Sequence, residues 1–316
     1  MFVGNHLPKE KKRTTVEYME TLRYIFETAY PEIPRYEKEL LAAHVLGVSR
    51  EHVVAHGDTV TPSQEEHSRI TQLFEQRSDG VPIAYLLGKK AFFGRDFAVD
   101  ERVLIPRPET EILVEHAIKH VRTLPDNSKP VILDIGTGSG AIAISIAHHV
   151  PNARIAASDI SQDALEAAGE NARMHGVSDR ITFFRSDLLE NIPLVRLSIL
   201  RSPLCILLNL PYLPAQAYET APIEEATRGI RFEPAAALVS GGDGLDHYRA
   251  LFRQLLRKRN ELPDHTALLL EHFGDKTHRT FFRETVPAML PGTRVETFPD
   301  LAGCERFAKL SWRPLR

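Results

Sequence analysis

The sequence predicts an α/β fold: a doubly wound, mostly parallel seven-stranded sheet with a small N-terminal helical domain. Three observations predict it. Val131-Ile132-Leu133-Asp134-Ile135 is a buried-strand run, closed by Gly136-Thr137-Gly138-Ser139-Gly140 and followed by the helix former Ala141–Ala147. From there strand-like and helix-like segments alternate, as parallel crossover connections require. The first 80 residues show helical spacing and no strand pattern.

Taken in order, Thr15 to Tyr30 places Val16, Met19, Leu22, Ile25 and Phe26 at helical spacing. Tyr36 to Leu46 follows with Leu40, Leu41, His44 and Val45 on one expected face, and a short helix can begin at Ser49. Thr61-Pro62-Ser63-Gln64 reads as a helix start, with Thr61 as N-cap, Pro62 in the first turn and Gln64 reaching back to the cap. That helix runs to about Arg77, where Ser78-Asp79-Gly80 stops it. Ala91 to Val99 alternates around Gly94 like a hairpin, and Val103-Leu104-Ile105-Pro106-Arg107-Pro108 is held extended by its prolines. Glu109 to Val121 is helical, and a polar link leads into the strand at Val131.

The later strands are expected over 153–159, 180–184, 204–208 and 266–270, with an antiparallel pair over 294–298 and 307–312 closing the sheet. Helices are expected over 163–175, 245–259 and 280–289.

The chain has 316 residues, 43% hydrophobic and 26% charged, the balance of a soluble globular protein. No apolar run reaches membrane-spanning length and the N-terminus lacks a signal-peptide pattern, so the expected compartment is the cytoplasm. Two cysteines, Cys205 and Cys304, cannot make a disulfide framework. A net charge of −3 argues against a protein that holds nucleic acid by a broad basic surface. The basic clusters Lys9–Arg13 and Arg257–Arg259 read as solvated segments. No His-Glu-x-x-His or paired cysteine motif implies a metal, and His148-His149 reads as a helix end. No long hydrophobic seam is visible, and a monomer is expected.

The glycine turn lets backbone approach a ligand, and the helix start presents its amides to it. No basic residue lies between Val131 and Ala147, and Gly-Lys-Ser/Thr is missing, which opposes a polyphosphate. Asp159 ends the next strand about 20 residues on, where a carboxylate can take both ribose hydroxyls. Together these favour a nucleoside-type cofactor, leaving dinucleotide and S-adenosylmethionine (AdoMet) open.

Asn209-Leu210-Pro211-Tyr212 stands at the end of the fourth strand, on the same edge. A planar NH2 is a poor nucleophile because its lone pair is delocalised. An Asn carbonyl and a backbone carbonyl can accept both its hydrogens, Tyr212 can pack on its flat face, and a sulfonium methyl is then a fitting electrophile. In-line attack gains mainly from positioning and from a water-poor site. No strong general base is needed, since the proton becomes acidic once the nitrogen is alkylated.

These motifs resemble those of class I AdoMet-dependent methyltransferases that methylate amino groups. The run Val103-Leu104-Ile105-Pro106-Arg107-Pro108-Glu109-Thr110-Glu111 is similar to the signature of release-factor glutamine N5-methyltransferases, the PrmC/HemK family. So are Leu40–Arg50, Pro82–Gly88, Phe232–Leu238 and Gly242–Leu245, so the resemblance covers nearly the whole chain.

The resemblance implies AdoMet as cofactor, with S-adenosyl-L-homocysteine as product. Gly136, Thr137, Gly138, Ser139 and Gly140 would hold its methionine part, Asp159 its ribose, and Asp187 and Leu188 its adenine. Asn209 and the carbonyl of Leu210 would grip a glutamine amide beside Pro211 and Tyr212, with Asn209 and Tyr212 as catalytic residues and Asn209 also at the cofactor. The substrate implied is the glutamine of the Gly-Gly-Gln loop of peptide-chain release factors. The organisation implied is a helical substrate-recognition domain over 1–90, a hairpin and extended linker over 91–108, and a methyltransferase domain over 109–316.

Two departures stand out. Leu210 occupies the family's usual proline position, a form also seen in rRNA adenine dimethyltransferases, and Ala84 occupies a usual glutamine position. The alternatives are glutamine methylation of a ribosomal protein, adenine N6 methylation of nucleic acid, and a non-catalytic AdoMet-binding adaptor. Glu233 and Asp243 could shape the substrate side or simply cap, and Glu271 reads as structural.

Overall fold

The computed structural model describes residues 20–125, 128–194, 202–220, 228–263 and 265–312. Val16, Met19 and the Lys9–Arg13 cluster lie outside the described residues. Two compact units divide between Asp79 and Gly80, ahead of the boundary expected at 90.

The first unit holds four helices among its described residues: α1 (Leu22–Thr28), α2 (Arg35–Leu46), α3 (Arg50–His56) and α4 (Gln64–Ser78). Leu22, Ile25, Phe26, Leu41, Val53, Ile70 and Phe74 are buried. Two expectations need correction here. Ser63, not Thr61, caps α4: its hydroxyl accepts from the Glu66 amide, and Glu66 accepts from the Ser63 amide. This reciprocal box ties up two free amides at once, which Thr61 with Gln64 does not. The face of α2 is also not the simple apolar one. His44 is exposed, while Glu37, Lys38 and Glu39 are buried.

These three charges are accommodated because each finds partners. Glu37 takes Arg77, Glu39 takes Arg35 and Arg50, and the Lys38 ammonium donates to the carbonyls of Phe26 and Ala29. Burial holds the Lys38 pKa below its usual range.

The second unit carries the sheet. A short helix, α5 (Ile83–Leu86), leads into the hairpin β1 (Lys89–Phe92) and β2 (Arg95–Ala98), which turns at Phe93-Gly94. Helix α6 (Thr110–Arg122) follows. Then come β3 (Val131–Ile135), α7 (Ala141–His149), β4 (Arg154–Asp159), α8 (Gln162–Met174), β5 (Ile181–Arg185), β6 (Leu204–Leu208) and β7 (Thr266–Glu271). An antiparallel pair closes the chain, β8 (Thr293–Pro299) and β9 (Glu305–Trp312).

The strand order is β5-β4-β3-β6-β7-β9-β8. Strands β3 to β7 run parallel and β9 joins β7 antiparallel, as the sequence predicts. β3, β6 and β7 are buried at every position, which is why they read as mostly apolar segments rather than alternations. Order reverses beside β3, so the ends of β3, β4 and β6 open onto one crevice, where such sheets bind ligands.

The expected helix over 280–289 is continuous with an earlier turn at Lys276–Thr280 through a wide turn at Phe281–Thr285. Side chains from neighbouring elements fasten the hairpin to this frame, among them His175, whose ring nitrogen lies 2.9 Å from the Asp96 carbonyl. Buried Asn171 bonds both main-chain groups of Ala98 and the carbonyl of Ser139, and Glu111 accepts from the Phe93 amide. The hairpin is thereby tied to α8, the glycine loop and α6 at once.

Candidate active site

The glycine loop is shaped by main chain and by one buried carboxylate. The amides of Gly136 and Thr137 both donate to the Ser158 carbonyl, joining the loop to the end of β4. Asp134 lies beneath it, fully buried. Its Oδ2 accepts from the Thr137 hydroxyl at 2.7 Å and from the Ala143 amide at 3.2 Å, while its Oδ1 has no partner among the described residues. Burial lifts its pKa to about 7, against the two bonds that favour the charged form.

Gly136 has φ +73, and a side chain there would press on Leu210 at 3.2 Å. Gly138 has φ +53 and faces open space. Both line a cavity at the crevice, while Thr137 and Ser139 turn into the protein and Gly140 packs against Ala168.

Asp159 lines the same cavity. Its Oδ2 accepts from the Gly138 amide at 3.0 Å and its Oδ1 from the Ser161 amide at 3.0 Å. Each carboxylate oxygen keeps a second lone pair for a ligand. Burial raises its pKa. Asp187 and Leu188 form another wall. Leu188 sits in the left-handed region at φ 52, an uncommon place for a bulky residue. Gln254 pins this turn by accepting from the Leu189 amide at 2.7 Å, and the buried Leu188 side chain joins the core.

The cavity fits a nucleoside sulfonium better than a dinucleotide. Gly138 offers a cradle that a Cβ would fill, and two carboxylates, Asp159 and Asp187, line it. Its arginine, Arg102, is already committed to Asp100 and Glu170. A pyrophosphate would therefore meet acidic groups, whereas a sulfonium and an ammonium would be welcome.

Asn209, Leu210 and Pro211 form a wall shared with a second cavity, which Tyr212, Phe273, Arg107 and Arg306 also line. Side chains from distant segments hold that wall. The Asn209 amide nitrogen donates to the Thr110 hydroxyl at 3.0 Å, and Thr110 donates to Glu271 Oε2 at 2.7 Å. The Tyr212 hydroxyl donates to Glu271 Oε1 at 2.9 Å. Glu271 is 1% exposed and its pKa is raised by burial; burial of the Tyr212 phenol, and then its bond to Glu271, push the phenol pKa well above its usual value.

Glu233 accepts from the Ile105 amide at 3.0 Å and pairs with Arg107 at 2.6 Å, fixing the extended segment that lines both cavities at Leu104. Gly244 has φ +81, and a side chain there would collide with the Tyr212 carbonyl. Among the described residues no group of three or more His, Cys, Asp or Glu could hold a metal ion.

Residues 17–88 match the PrmC N-terminal domain, and residues 110–203 match the methyltransferase small domain. A release factor glutamine methyltransferase of Chlorobaculum tepidum is 39% identical over 249 residues, covering 78% of this chain and 81% of that protein. The chain belongs to the release factor glutamine methyltransferase family.

Two further members of that family cover still more of the chain. The enzyme of Nitratidesulfovibrio vulgaris is 35% identical over 288 residues, 90% of each chain. The enzyme of Bordetella pertussis is 39% identical over 285 residues, 89% of this chain and 96% of its own. The hMettl16 catalytic domain in complex with MAT2A 3'UTR hairpin 6 has the same fold, with a TM-score of 0.52 and 17% identity over 80% of this chain and 83% of that one. That likeness is one of fold alone, the class I methyltransferase fold.

Sequence reasoning missed several residues of the site. Thr110 lies inside the signature that marks this family, yet nothing in the spacing says that it touches Asn209. Position alone makes Glu271 structural and leaves Glu233 between capping and the substrate side. His247 also lines the first cavity, with Nδ1 2.7 Å from the Ser240 hydroxyl. A charged residue closing the apolar run Ala267–Leu270, as Glu271 does, is the signal that points to it.

Proposed function

We propose that this chain transfers a methyl group from AdoMet to the side-chain amide nitrogen (N5) of the glutamine in the Gly-Gly-Gln loop of peptide-chain release factors. The observation that carries this is the shared wall. Asn209-Leu210-Pro211 separates a cavity suited to a nucleoside sulfonium from one edged by an anchored tyrosine, in a chain of the release factor glutamine methyltransferase family.

In this reading Gly136 and Gly138 take the methionine part of the cofactor, Asp159 the ribose, and Asp187 with Leu188 the adenine. When bound, AdoMet supplies an electrophilic methyl on a positively charged sulfur. Asn209 Oδ1 and the Leu210 carbonyl accept the two hydrogens of the glutamine amide, holding its nitrogen in line with that methyl, and Tyr212 packs beside it. As the N–C bond forms and the C–S bond breaks, the nitrogen becomes cationic and its hydrogens bind the two carbonyl oxygens more strongly. That is stabilisation greater in the transition state than in the ground state. The acidified proton then leaves to water, so the site needs no strong base.

Leu210 in place of proline keeps this arrangement, because Pro211 holds it extended and its side chain is buried. The enzyme is read as a cytoplasmic monomer acting on a protein rather than on nucleic acid. Among the described residues no helix is long and apolar enough to cross a membrane.

The test is transfer of labelled methyl from AdoMet to purified release factor, beside a factor whose loop glutamine is replaced. Label on the unaltered factor alone is expected. Label on both, or only on ribosomal protein or RNA, would overturn the assignment.

A further inference from the structure

We propose that Thr110 and Glu271 are positioning residues that fix which end of the Asn209 amide faces the substrate, so that the site grips an amide and rejects a carboxylate. This rests on the proposed role of Asn209.

The two ends of an asparagine amide have nearly the same shape, and only their surroundings decide which points where. Here the surroundings are buried. Thr110 is 4% exposed and Glu271 1%. Glu271 accepts from Tyr212 on one oxygen and from Thr110 on the other. The single hydroxyl hydrogen of Thr110 is thereby used, at 2.7 Å. What Thr110 offers Asn209 is a lone pair, and only the NH2 end can meet it, at 3.0 Å.

Turning the amide round would set oxygen against oxygen. The alternative would pull the Thr110 hydrogen off Glu271 and leave a buried carboxylate oxygen unpaired. Oδ1 is therefore directed away from Thr110. Together with the Leu210 carbonyl it would present two acceptors to the substrate cavity. Two acceptors match the NH2 of a glutamine and repel the oxygens of a glutamate.

The experiment compares wild type, Thr110→Val, which keeps the shape without the hydroxyl, and Thr110→Ser, which restores it. Three quantities are read: single-turnover methyl transfer at saturating factor and AdoMet, the AdoMet Kd, and the ratio of affinities for factors carrying Gly-Gly-Gln and Gly-Gly-Glu loops. Thr110→Val is expected to slow transfer about 10- to 100-fold, the size of one misdirected buried hydrogen bond. It should narrow the Gln/Glu ratio by a similar factor and leave the AdoMet Kd unchanged. Thr110→Ser should restore both rate and ratio.

An unchanged ratio in Thr110→Val, or no rescue by serine, overturns the inference while the proposed function stands. Wild type that transfers nothing to the glutamine overturns both. Glu271→Gln carries the same test if Thr110→Val does not fold, because its amide lets Thr110 point either way. Its expected result is a loss of rate with a narrowed ratio, and an unaltered ratio again overturns the inference.

Discussion

Each half of the site rests on one buried carboxylate at a strand end, and the two are used differently. Asp134, on β3, holds the glycine loop through Thr137 and Ala143, a few residues away in sequence. Glu271, at the end of β7, holds Thr110 and Tyr212 from segments 161 and 59 residues away. The cofactor half is thus a local construction that folds with its own strand and helix. The substrate half exists only once β6, β7 and α6 have come together. The lesson is that a carboxylate can serve either as a keystone for a contiguous loop or as a meeting point for distant side chains.

If the halves are distinct, mutations should separate rate from cofactor affinity. The largest effect is expected from Asn209→Ala, which removes an acceptor that acts most strongly in the transition state. Single-turnover methyl transfer should fall about 10²- to 10³-fold, with the AdoMet Kd, measured calorimetrically, changed little. A parallel loss of AdoMet binding would merge the two halves.

Asp159→Ala should do the converse. It removes the proposed ribose partner and a tie to Gly138, so the AdoMet Kd should rise about 10- to 100-fold. The rate at saturating AdoMet should change far less.

The keystone itself has a pH signature. The Asp134 pKa is raised from an ordinary 3.8 to about 7. Between these values the folded protein keeps a proton that the unfolded chain releases. Its contribution to stability is therefore full below about pH 4 and lost as pH rises through about 7. Asp134→Asn keeps an oxygen for Thr137 and Ala143 without this titration. In urea unfolding of the cofactor-free protein, the variant should gain on wild type by about 1–3 kcal/mol between pH 5 and pH 8. Parallel curves would contradict the buried-proton account.

The smallest effect is expected from Ser139→Ala. Ser139 is 3% exposed and does not line the cavity, so the AdoMet Kd should stay within about twofold.

The same contrast explains what was legible in the sequence. The sheet could be read because β3, β6 and β7 are buried along their length and mostly apolar, and the glycine loop because its residues are contiguous. Asp159 followed from its spacing to the glycines, and Asn209 to Tyr212 from standing at a strand end. Thr110, Glu233 and Glu271 act through bonds to residues 59 to 161 positions away, and no local period encodes those meetings. Thr137 and Ser139 show the limit of a motif: it places them in the loop, and the structure buries both side chains. On α2, helical spacing gave His44 an inward place, but the ion pairs of Glu37 and Glu39 and the bonds of Lys38 brought charged residues inside instead.

The most direct measurement is a crystal structure of the enzyme with S-adenosylhomocysteine and a Gly-Gly-Gln peptide. The account predicts the glutamine amide in the cavity beside Tyr212, its nitrogen donating to Asn209 Oδ1 and the Leu210 carbonyl and facing the sulfur across the shared wall. A glutamine bound elsewhere, or an Asn209 whose NH2 faces the peptide, would contradict it.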